Sequence, residues 1–149
     1  MTRHSVPLHR LYSTGGTDHF YTASQPEANN AANVDGYTVE GSPCNIFTQQ
    51  YEGTVPLYRM YNGAIVDHFY TTNAAEKDNA ITKLGYSYEG VTGYVYPDAS
   101  CEGGRPLYRL YSQGATDHFY TSDAAERDKA MTEGYANEGI AAYAPPATG

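Results

Sequence analysis

Arg, Asp, His and Glu stand at matching places in three successive stretches of the chain. The sets are Arg10, Asp18, His19 and Glu40; Arg59, Asp67, His68 and Glu89; and Arg109, Asp117, His118 and Glu138. Side chains of these types hold ligands or move protons. A carboxylate accepts hydrogen bonds from hydroxyls, a guanidinium offers a planar fork of donors, and an imidazole can do either. Each Asp-His pair opens the same pentapeptide, Asp-His-Phe-Tyr-Thr, at 18–22, 67–71 and 117–121. The intervals are 67 − 18 = 49 and 117 − 67 = 50 residues, so one repeat runs through the whole chain. A period of that size marks units that cannot bury their own apolar face and must pack on one another.

Three chemistries suit such sets. The first is a glycan site in each repeat, since sugar hydroxyls want paired acceptors and donors and a sugar ring stacks on tyrosine. Strand alternation puts His and Tyr of the pentapeptide on one face and Asp and Phe on the other. His19 with Tyr21, His68 with Tyr70, and His118 with Tyr120 are therefore the candidate polar-aromatic pairs. Asp18, Asp67 and Asp117 would add acceptors, and Tyr12, Tyr61 and Tyr111 would complete the wall. The second chemistry is a three-histidine metal centre, which needs the three rings to converge. No metal and no cofactor is expected. The third is catalysis by Asp and His, but an enzyme seldom needs three equal active sets, and no Gly-x-Ser-x-Gly elbow is present. The chain is not expected to be an enzyme. Arg10, Arg59, Arg109, Glu40, Glu89 and Glu138 are read as scaffold, a buried Arg fork paired with a carboxylate to fix register between units.

The elements that must position these residues repeat as well. Leu8–Tyr12, Leu57–Tyr61 and Leu107–Tyr111 alternate as strands, with Pro7, Pro56 and Pro106 at their starts. A Gly-bearing turn follows each, Asn62-Gly63 being a good hairpin signal, and the pentapeptide returns beside the first strand. Ser24, Asn73 and Asp123 are N-cap types with Glu27, Glu76 and Glu126 three residues on, which predicts a capping box and a helix in every repeat. Pro26 falls in a first turn, where its missing N–H is harmless. Gly36, Gly85 and Gly134 end the helices. The motif Gly-Tyr-x-x-Glu-Gly and a final apolar strand close each repeat. The unit is thus strand, strand, helix, strand, strand.

One domain is expected over 1–149, built of repeats 6–54, 55–104 and 105–144, with Pro145–Gly149 as a disordered tail. The fold class is β-rich with one short helix per repeat. Three units imply a closed pseudo-threefold ring, three-bladed and propeller-like, with a β-trefoil as the alternative.

Seventeen acidic against nine basic residues leave a net charge of −8. That argues against nucleic acid and anionic membranes, which need clustered Lys and Arg. No apolar run reaches the ~20 residues of a membrane span. Sixteen tyrosines and no tryptophan make the chain unusual; most such tyrosines build a β core. Cys44 and Cys101 lie at different positions of different repeats, and their pairing is left open. Residues 1–7 carry no apolar secretory segment, so a cytoplasmic location stays open too.

The combination Pro-Leu-Tyr-Arg-Leu-Tyr, Asp-His-Phe-Tyr-Thr and Gly-Tyr-x-x-Glu-Gly resembles a repeat family of unknown function that occurs in secreted bacterial and fungal proteins, sometimes beside hydrolase domains. The resemblance covers nearly the whole chain and implies an extracellular accessory or binding module, with glycans as the expected ligand. It carries no catalytic residues. His9, where the other repeats have Tyr, and Ser42–Asn45 depart from the pattern.

The expected function is a multivalent, lectin-like carbohydrate-binding protein with up to three shallow sites, its partners glycans or glycoconjugates. The alternatives are a protein-binding module, such as a protease inhibitor or toxin accessory, and a purely structural domain. The apolar turn Ala64-Ile65-Val66 is the hint towards the former.

Overall fold

A computed structural model describes residues 4–101 and 103–148. The chain is mostly β with three short helices, in two antiparallel sheets that do not close into a barrel. The elements are β1 (Ser5–Ser13), β2 (Asp18–Thr22), α1 (Gln25–Asn33), β3 (Thr38–Val39), β4 (Cys44–Phe47), β5 (Val55–Asn62) and β6 (Asp67–Thr71). They continue as α2 (Ala74–Lys83), β7 (Ser87–Val95), β8 (Arg105–Ser112), β9 (Asp117–Thr121), α3 (Ala124–Thr132) and β10 (Ala136–Ala144). No helix among the described residues is long and apolar enough to cross a membrane.

The larger sheet runs β2-β1-β4-β7-β5-β6, with β3 also on β1, and the smaller runs β10-β8-β9. The three pentapeptide hairpins share one register: Tyr12 faces His19, Tyr61 faces His68, and Tyr111 faces His118. The two sheets meet through a bridge in which Tyr96 and Tyr143 exchange backbone bonds of 2.7 and 2.9 Å. The Asn45 N–H donates to the Pro145 carbonyl at 2.9 Å.

Two leucine-type positions set three apart divide the core. Leu8, Leu57 and Leu107 join Tyr21, Tyr70, Tyr120 and Ile46 in a central cluster. Leu11, Met60 and Leu110 lie on the opposite strand face, beneath α1, α2 and α3 with Phe20, Phe69 and Phe119. An odd spacing along a strand has that effect, because successive side chains alternate faces.

Several expectations change. The last two strands of the unit are one nine-residue strand in β7 and β10, bent by register shifts near Gly90 and Gly139, both at positive φ. Such a bulge bends a strand without ending it. Only the first repeat splits it, into β3 and β4, where Ser42 and Pro43 intervene and Pro43 has no N–H for the ladder. The tail is tied down as far as it is described. The buried Asn45 amide bonds the Thr148 hydroxyl at 3.0 Å and accepts its N–H at 3.2 Å; Gly149 lies outside the described residues. Cys44 and Cys101 are free thiols, and burial pushes that of Cys44 up to about 12.

The helix caps are present but differ from the capping box. Ser24, Asn73 and Asp123 accept the N–H of Glu27, Glu76 and Glu126. The glutamates do not return the bond. The N-cap N–H groups donate instead to Thr22, Thr71 and Thr121 hydroxyls at 3.0 Å, and those hydroxyls donate to the glutamates. Threonine therefore relays the cap and leaves each carboxylate turned towards an arginine.

Candidate functional site

All five residues of β2, β6 and β9 are buried. These strands lie at the ends of the sheet orders, so their outer N–H and C=O groups need partners other than a ladder. Side chains supply them. The Tyr70 hydroxyl accepts the Tyr21 N–H and donates to the Tyr21 carbonyl, both at 2.8 Å. Tyr120 does the same for Tyr70 at 2.8 and 2.7 Å, and Tyr21 for Tyr120 at 2.7 and 3.0 Å. The three rings meet edge to face at 5.3–5.4 Å, and burial holds their hydroxyls far above the ordinary value.

The aspartates act in the same way. Asp18 accepts the His68 N–H at 2.9 Å and His68 Nδ1 at 2.5 Å, while the Tyr37 hydroxyl donates to it at 2.7 Å. Asp67 holds His118 and Tyr86, and Asp117 holds His19 and Tyr135, with the same geometry. The histidines thus do not converge. The aspartates do, with ligand-type oxygens all within 4.8 Å of one another. This is the one metal-type cluster of its kind among the described residues, and each carboxylate already accepts three protein hydrogen bonds.

Tyr21, Tyr70, Tyr120, Asp18, Asp67 and Asp117 are at most 1% exposed. They offer no surface to a ligand, contrary to the sequence expectation. The hydroxyls of Tyr21, Tyr70 and Tyr120 and the Nδ1 atoms of the three histidines are all engaged by neighbouring repeats.

The surface sites form where repeats meet. Arg59 donates through Nη1 and Nη2 to Glu27 at 2.9 and 3.0 Å and through Nε to Glu89 at 3.0 Å, lying over the Phe20 ring. Arg109 is held by Glu76 and Glu138 over Phe69, and Arg10 by Glu126 and Glu40 over Phe119. Beside each arginine, a histidine is sandwiched between two rings, His68 between Tyr61 at 4.4 Å and Phe20 at 4.8 Å. Its Nε2 faces the second glutamate, at 3.4 Å for both Glu40 and Glu89 and 3.6 Å for Glu138.

Of the pockets that border these clasps, three also reach a histidine. One of 470 Å³ includes Asn30, Tyr37, Arg59, Tyr61, His68 and Glu89. A second, of 380 Å³, has Asn79, Tyr86, Arg109, Tyr111, His118 and Glu138, and a third, of 200 Å³, has Lys129, Tyr135, Arg10, His19 and Glu40. Tyr12 is half-buried against the His19 ring at 4.6 Å.

Charge in the pockets is closely tuned. Burial alone would pull His19 and His68 down, but hydrogen bonds to Asp117 and Glu40, and to Asp18 and Glu89, hold both above the ordinary value. Hydrogen bonds from Arg59, His19 and Arg10 lower Glu27, Glu40 and Glu126. Glu76 and Glu89 are lowered as well, burial being outweighed by Arg109 and His68.

The glutamates read as scaffold are partly accessible, unlike the buried Asp and Tyr. Glu40, Glu89 and Glu138 side chains are 31–32% exposed; their Oε1 atoms accept the Arg Nε–H, with a histidine Nε2 3.4–3.6 Å away. Their Oε2 atoms accept no hydrogen bond from the described residues, and neither do the hydroxyls of Tyr61 and Tyr111 donate one. Sequence reasoning missed Glu27, Glu76 and Glu126 as pocket residues, because a cap explained them, and missed Tyr37, Tyr86 and Tyr135. Their recurrence at one position in all three repeats was the available signal.

No curated protein and no solved structure matches the chain. A family model described as a domain of unknown function, DUF5648, matches residues 7–145, and the chain belongs to that family.

Proposed function

We propose that this protein is a non-enzymatic, multivalent carbohydrate-binding protein, with one shallow site in each of the three pockets between repeats. The observation that carries the reading is the free Oε2 of Glu40, Glu89 and Glu138, held at a pocket edge by an arginine whose other side is already neutralised. A carboxylate fixed in this way accepts sugar hydroxyls without reorganising. In the first two pockets Tyr61 and Tyr111 add a hydroxyl and a ring face, and Asn30 and Asn79 add an amide. Pockets of 470 and 380 Å³ fall in the range of small-ligand sites.

The same contacts support a closed pseudo-threefold, propeller-like ring. The tyrosine bonds run 21 to 120 to 70 and back to 21, and the Asp–His bonds run the same circuit. Strand edges that meet through side chains favour this ring over a trefoil. Three weak sites on one rigid body gain by acting together on a multivalent surface. Such a role suits the extracellular location that the family resemblance implies.

The purely structural reading has one observation in its favour: every Arg, Asp and His of the sets is satisfied within the protein. Glycan-array binding followed by calorimetry separates the two. Binding that free sugar competes away supports the lectin; a well-folded protein that binds no glycan rules it out.

A further inference from the structure

The three pockets share their inner wall and differ at the rim. Where α1 ends, Asp35 precedes the terminal glycine; the corresponding residues are Leu84 after α2 and Glu133 after α3. In the turn before the pentapeptide, Gly16 and Ala115 correspond to Ile65. Leu84 and Ile65 both line the pocket between the second and third repeats. Leu84 is 56% exposed there. A lone exposed leucine means little. Here two aliphatic side chains rim a pocket whose inner wall holds Glu138, Arg109 and Tyr111, a mixture that plain hexose hydroxyls would not use.

We infer that this pocket selects an N-acetylhexosamine, its acetamido methyl lying against Leu84 and Ile65. The inference rests on the carbohydrate reading above. An acetamido group needs an apolar contact, an acceptor for its N–H and a donor for its carbonyl. The free Oε2 of Glu138 is such an acceptor. Asn79, exposed on α2 and without a hydrogen bond to the described residues, is such a donor. The other two pockets put Asp35 or Glu133 where the methyl would sit, and burying a methyl against a carboxylate is unfavourable.

The test is an amide-resolved NMR titration of the full chain with N-acetylglucosamine and N-acetylgalactosamine against glucose and galactose. The expected result is that one N-acetylated sugar binds at least about fourfold more tightly than its parent hexose, the worth of one buried methyl. Its shifts should centre on Asn79, Leu84 and Tyr111, and Leu84→Asp should remove the preference without unfolding the protein. Equal affinity for the acetylated and parent sugars, or equal shifts around Asp35, overturns the inference while the carbohydrate reading stands. Absence of binding by any sugar tested on arrays overturns both.

Discussion

The Tyr70 hydroxyl closes on the backbone of Tyr21 from both sides, accepting its N–H and donating to its carbonyl at 2.8 Å each. A tyrosine side chain here replaces a neighbouring strand. That explains why the pentapeptide carries Tyr and not Phe at its fourth position, in a site with 1% exposure.

Tyr70→Phe removes that oxygen and leaves a buried N–H and a buried C=O unpaired. At about 1–3 kcal/mol for each orphaned group, the variant should lose about 2–6 kcal/mol. Urea unfolding measures it. A loss below about 0.5 kcal/mol would show that water or a backbone shift takes the hydroxyl's place.

The turns before the pentapeptides test the inter-repeat contacts from the other end. Thr17 donates to the Ala115 carbonyl at 3.0 Å and Thr116 to the Ile65 carbonyl at 3.1 Å, both from positive φ. Val66 holds the equivalent place at φ 53° and lies against Gly16, where an added Cβ would come within 2.9 Å of it. Val66→Thr keeps the branched shape and supplies the missing hydroxyl, so it should stabilise the protein by about 0.5–1.5 kcal/mol. A lower melting temperature for this variant would mean that the apolar contact matters more than the third bond.

Stability should depend on pH with a defined sign. His19 and His68 are raised in the folded state, so their contribution is complete below the ordinary value of 6.5 and is lost as pH rises through the higher folded value. Glu27, Glu40, Glu76, Glu89 and Glu126 are lowered, so theirs is complete above 4.5 and is lost as pH falls. The groups facing each ring are the Asp and Glu already named and the flanking Tyr and Phe. The unfolding free energy should therefore be greatest between about pH 4.5 and 6.5 and decline on both sides. A profile that keeps rising from pH 6 to 8 would contradict the assigned His–Asp–Glu chains.

Much of the local structure was legible because its causes are local. The caps Ser24, Asn73 and Asp123, the stops at Gly36, Gly85 and Gly134, and the hairpins follow from residues within a few positions of one another. What joins the repeats was not. Asp18 meets His68 fifty residues away, and Arg59 meets Glu27 at a separation of 32. Periodicity says that these residues recur, but recurrence is the same whether a partner lies in its own repeat or the next. Alternation separated the two faces of the pentapeptide strand, yet it could not show that both are buried. For that reason alternation points to Tyr21 as site and leaves Glu89 as scaffold, while the structure exposes the glutamate and encloses the tyrosine.

In the proposed function, Glu40, Glu89 and Glu138 present free carboxylate oxygens to sugars in three pockets. Calorimetry of the parent and of the Glu40→Gln, Glu89→Gln, Glu138→Gln triple variant, using the best glycan from an array, tests it most directly. The expected result is about three sites per chain in the parent, each in the roughly millimolar range, and a triple variant that unfolds cooperatively but binds at least tenfold more weakly. A folded triple variant that binds like the parent, or a parent that binds no glycan, would contradict it.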